Sequence, residues 1–122
     1  MRKRGLQDIE SEIRKEKAEA LGRAGERLER ALQDLETFRQ EISGVIAAKL
    51  ESIDLGEERF PPEVEKILAE YARLRERARE LRHSLIIQRE AVGLWRHEDV
   101  DRQYPLPDCL TLANARDPEG GR

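Results

Sequence analysis

The sequence predicts an all-α fold: a long antiparallel two-helix hairpin of coiled-coil character that dimerises into a four-helix bundle and carries an irregular C-terminal tail. Three observations lead there. Val64, Ile67, Tyr71, Leu74, Ala78, Leu81, Leu85, Gln88, Val92 and Trp95 follow one another at steps of 3 and 4, with Gln88 the only polar member. Such a heptad keeps one stripe of a helix against a partner helix. A second stripe runs through Leu21, Ala24, Leu28, Leu35, Phe38, Ile42 and Leu50, and Gly56 and Pro61-Pro62 separate the two. Finally, 40% of the residues are charged and only 4% aromatic, a balance that suits long solvated helices with narrow apolar seams.

Helix one is expected over 6–53, since no proline occurs between Leu6 and Ser52. Its early stripe of Leu6, Ile9, Ile13 and Ala20 is sparser and out of phase with the later one, and Ile13 to Ala24 is an 11-residue step. That spacing straightens or reverses a supercoil. Gly22 and Gly25 stand at this junction, each costing about 1 kcal/mol against alanine. Either the helix bends there or something packs closely against it.

A loop over 54–61 follows, with Gly56 suited to the left-handed position after a helix end. Helix two is expected over 62–98. Pro61-Pro62 opens it, because a first turn tolerates the missing N–H, and Glu63 and Glu65 favour the positive end of the helix dipole. A short connection makes the two helices antiparallel. The expected seam joins Leu28, Leu35, Phe38 and Ile42 to Val64, Ile67, Tyr71, Leu74, Leu81 and Val92. Together these make one hairpin unit over 1–98.

Helix one then overhangs by residues 6–18, with only the chain beyond His97 to cover it. In the tail, 99–122, one further turn is expected before Tyr104-Pro105-Leu106-Pro107, which must be extended. Tyr104 and Leu106 are expected to fold back, or to cross to another subunit, and cover Leu6, Ile9 and Ile13, and the last residues to fray.

Charge narrows the function classes. Acids outnumber bases by 26 to 23, so nothing resembles the basic field that holds a phosphate backbone. The run from Arg73 to Arg82 is too local to change that. One cysteine, Cys109, excludes an internal disulfide and a cysteine-cluster zinc site. There is no apolar run of membrane-spanning length, and Met1-Arg2-Lys3-Arg4 has no apolar segment behind it, so it is not a signal peptide. A cytoplasmic protein without membrane or nucleic-acid partners is the expectation.

Two surfaces stand out. With Tyr71 at heptad position a, Arg75, Arg82, Arg89 and Arg96 share the e row. Such flanks usually pair with acids across the seam, and Glu26, Glu29, Asp34, Glu36 and Glu41 are at hand on helix one. From Leu85 to Trp95 the second helix also turns apolar on a further side, through Ile86, Ile87, Ala91, Gly93 and Leu94. A helix apolar on two sides needs cover on two sides. These residues, with Tyr104, are the expected interface with a second copy, the folded-back tail alone or another protein being the other covers that fit. Trp95 and Tyr104 are its natural anchors.

The hint of chemistry is slight. Glu80-Leu81-Arg82-His83 resembles the ferritin-like Glu-x-x-His pattern in two residues, which would imply a metal-binding four-helix bundle. Glu80 and His83 fall at positions c and f, however, turned away from the seam. Without a phosphate loop or a nucleophile elbow, the chain is read as a non-enzymatic interaction module (scaffold, adaptor or small chaperone) with no cofactor. The metal-binding bundle is the alternative.

Overall fold

The computed structural model describes residues 5–51 and 60–110. Of these, 84% are helical and none forms a strand. Helix α1 runs Leu6–Glu51, α2 runs Pro62–Ala91, and a short α3 covers Glu98–Gln103. The expected loop and the Gly56 helix stop lie outside the described residues, save for Phe60 and Pro61.

Helices α1 and α2 pack against each other over two apolar clusters. Leu35, Ile42 and Ile46 meet Val64 and Tyr71 in the first, flanked by Phe38, Phe60, Ile67, Leu68, Leu74 and Leu110. Ala24 and Leu28 meet Leu85 and Val100 in the second, flanked by Leu21, Leu32, Leu81, Ile86 and Tyr104. Late residues of α1 thus meet early residues of α2, and the reverse, so the pair is antiparallel. The buried residues of α2 are Val64, Tyr71, Ala78 and Leu85, one heptad apart. On α1, Leu28, Leu35 and Ile42 show the same step. No charged or polar residue is buried among the described ones, so apolar burial at about 25 cal/mol per Å2 is the main cohesive term.

Helix α2 stops at Ala91, short of the expected boundary at 98. Gly93 adopts φ 88°, its N–H donates to the Glu90 carbonyl at 3.0 Å, and the Leu94 N–H donates to the Arg89 carbonyl at 2.9 Å. This paired closure around a left-handed glycine is the Schellman stop. It satisfies two carbonyls that the helix end would otherwise leave open. Val92 therefore leaves the seam assigned to it, Trp95 leaves the heptad stripe, and they stand 38% and 69% exposed.

Past the stop, α3 brings Val100 into the second cluster, and residues 104–110 run back along α2 towards its start. The described part of the tail, with Tyr104 and Leu106, does not cover the early stripe of α1 as expected. Residues 5–19 are all exposed, with Leu6 at 72%, Ile9 at 43% and Ile13 at 46%. Instead the tail lies over the α1–α2 seam as a third element. Tyr104 explains one of the two junction glycines: a Cβ on Gly25 would stand 3.2 Å from the Tyr104 hydroxyl. Gly22 has open space around it. Helix α1 runs through both glycines as a single helix, and close packing at Gly25 is the alternative that holds.

Candidate functional site

The e-row arginines do not serve the role expected of them. They hold the tail. Arg75 Nε donates to the Pro107 carbonyl at 2.6 Å, Arg82 Nε donates to the Tyr104 carbonyl at 3.3 Å, and Arg82 also binds the Asp101 carboxylate. One heptad further on, Arg89 donates to the Arg96 carbonyl at 3.2 Å. Three guanidiniums spaced by seven thus clamp the backbone that returns from α2. The Tyr71 hydroxyl adds a bond to the Asp108 carbonyl at 3.3 Å. Burial pushes the Tyr71 phenol above its ordinary value, while the charges of Arg39 and Arg75 pull the other way.

Other arginines pair within their own helix. Arg73 binds Glu70 and Arg79 binds Glu76, each three residues apart and exposed. Both carboxyls are held below their ordinary value by the hydrogen bond from the arginine. Exposed pairs of this kind contribute little to stability.

The residues expected to form an interface divide into two groups. Leu85 is buried in the second cluster of its own chain, and Ile86 and Tyr104 are half-buried against it. Ile87, Ala91, Gly93, Leu94 and Trp95 are exposed. Trp95 is an anchor only if another chain supplies its pocket. At the end of α2, Ala91 and Val92 border an open cleft of about 450 Å3 shared with Arg14, Lys17, Ala18 and Leu21 of α1. Beyond this cleft α1 continues without α2 beside it. That overhang carries Leu6, Ile9 and Ile13. The apolar surface at this end is therefore larger than the Leu85–Trp95 segment suggested.

Glu80 and His83 are both exposed, and no group of three or more potential metal ligands gathers among the described residues. The early stop of α2 moves the other histidine: His97 Nε2 folds back to within 3.3 Å of Glu90 Oε2. Replacing His83 by Ala is expected to change stability by less than about 0.5 kcal/mol, as surface substitutions usually do. Thermal unfolding checks this, and a loss of bound iron or zinc in the variant would restore the metal-binding reading.

Cys109 is exposed in the tail, and none of the described helices is long and apolar enough to cross a membrane. The chain matches no protein-family model, and no curated protein or solved structure is found to be similar to it.

Proposed function

We propose that the chain is a non-enzymatic interaction module, working by helix–helix packing as a scaffold, adaptor or small chaperone, with a second copy of itself as first partner. The observation that carries this reading is where the exposed apolar side chains lie. Of the exposed large apolar side chains among the described residues, Leu6, Ile9, Ile13, Ile87, Val92, Leu94 and Trp95 stand in the last turn of α2 or beyond it, and Val45 is the exception. Scattered exposed apolar residues are ordinary, whereas a gathered patch marks an interaction surface. The opposite half of the hairpin closes its own core with Tyr71, Val64 and Leu35.

Sedimentation velocity of the whole chain tests this. The native protein is expected to be a dimer at micromolar concentration. Ile87→Glu combined with Leu94→Glu is expected to dissociate it with helix content unchanged, because neither side chain belongs to the chain's own clusters. An interface that closed over two unpaired carboxylates would have to bury charge without compensation. A native chain that sediments as a monomer sinks the reading of self-association.

A further inference from the structure

We infer that two copies of the chain pair antiparallel through the N-terminal overhang of α1, crossing at Ile13, an inference that rests on the proposed self-association and assigns it a surface and a direction.

The overhang is the starting point. Helix α1 has 46 residues and α2 has 30, and the end of α2 borders α1 near Lys17 and Leu21. The turns before Lys17, about 16 Å of helix, run past the end of α2, and residues 5–16 are all exposed. They stay helical because they propagate from a helix nucleated elsewhere, yet their apolar side chains face water.

The pattern of that face says what fits it. Leu6, Ile9, Ile13, Lys17 and Ala20 are spaced 3, 4, 4 and 3. They lie within about 80° of one another around the helix. The spacing reads the same in both directions from Ile13. A two-fold contact needs a self-complementary surface in which residue i meets j and j meets i. Reversal about Ile13 sets Leu6 against Ala20 of the second copy, Ile9 against the methylenes of Lys17, and Ile13 against itself.

Charge favours the same direction. Lys17 belongs to the stripe, so a parallel pair would bring the two Lys17 ammoniums together in the seam. Glu10 also pairs with Arg14 of its own helix at 4.0 Å. Glu10 and Lys17 fall on the same flank of the stripe, and antiparallel pairing sets the Glu10 of each copy beside the Lys17 of the other. The opposite flank then brings Glu12 and Glu16 of the two copies near each other. Their repulsion weakens the pair, so Glu16→Gln is expected to tighten it. In the antiparallel arrangement the first turn of each copy comes beside the partner's cleft at Leu21, giving cover to the exposed Ala91 and Val92.

Charge exchange followed by sedimentation equilibrium tests the arrangement. Glu10→Lys alone and Lys17→Glu alone are each expected to weaken the dimer about tenfold, since two flanking pairs turn from attraction to repulsion. The double variant is expected to return to within about threefold of native affinity. Ile13→Asp, which brings two carboxylates together at the crossing, is expected to give a folded monomer with native helix content. A double variant no tighter than the singles overturns the antiparallel arrangement. If Ile13→Asp dimerises as the native chain does, the overhang is not the interface, while self-association through Ile87 and Leu94 stands. A native chain that is itself monomeric removes both readings at once.

Discussion

Replacing Tyr71 by Ala is expected to lower the stability of the fold by about 3–5 kcal/mol, the usual cost of removing a buried aromatic ring. Tyr71 is the largest of the fully buried side chains, at 1% exposure. It packs with Leu35, Ile42, Ile46 and Val64 and reaches the tail through the Asp108 carbonyl, so its loss opens a cavity where α1, α2 and the tail meet. Domains of this size have about 5–15 kcal/mol in total, and the variant should be close to unfolding at physiological temperature. Tyr71→Phe keeps the ring and is expected to cost only about 1 kcal/mol for the hydrogen bond. It should also change the alkaline limb. Because burial raises the folded-state pKa of the phenol above its unfolded value near 10, the native chain binds this proton more tightly than the unfolded chain does. That contribution is fully present below about pH 10 and is lost as pH rises through the raised folded value. Urea unfolding of native and Tyr71→Phe proteins across this range should show the steeper decline in the native chain. Equal slopes would mean that Tyr71 is not buried as described.

The hairpin was legible because a heptad is a statement about geometry. Val64, Tyr71, Ala78 and Leu85 recur at seven and sink to the bottom of the seam, and Leu28, Leu35 and Ile42 answer them. The same pattern misleads at its end. Val92 and Trp95 continue the spacing, but Gly93 between them takes a conformation that L side chains rarely adopt, and a left-handed residue closes the helix whatever its neighbours' polarity. The glycine is visible in the sequence. Its rank above the stripe is not.

The arginine row shows a different limit. Sequence reasoning pairs charged side chains with charged side chains, which sets Arg75, Arg82 and Arg89 against the acids of helix one. Each donates to a backbone carbonyl, of Pro107, Tyr104 and Arg96 in turn, and the acid that Arg82 binds, Asp101, lies on α3 and not on helix one. Every residue has a carbonyl, so nothing in the letters marks these three. The direction of the tail is hidden for the same reason. Leu6, Ile9 and Ile13 read as the surface in need of cover, but the strap follows the guanidiniums and the notch at Gly25. The early stripe of α1 stays exposed.

Removing residues 98–122 is therefore expected to destabilise the hairpin itself and not its overhang. Val100 is 1% exposed between Ala24, Leu28 and Leu85, and a fully buried valine contributes about 1.5–3 kcal/mol. Tyr104 and Leu110 add partial burial on the two clusters. Their loss also leaves Arg75 and Arg82 without the carbonyls they now bind, although solvent can hydrate both. The truncated chain should lose several kcal/mol in urea unfolding. Hydrogen exchange should rise around Ala24–Leu28 and from Tyr71 to Leu85. Residues 6–18 should exchange as before, because they are exposed and the described tail, through Leu110, packs on the seam instead. Gly25→Leu is the milder form of the same experiment: its side chain would occupy the place of the Tyr104 hydroxyl, so it should unseat the start of the strap and raise exchange near Leu28 and Leu85 while Leu110 still holds the far cluster. If truncation instead raised exchange in residues 6–18 and spared the seam, the tail would be packing on the overhang, and a strap over the seam would be the wrong description.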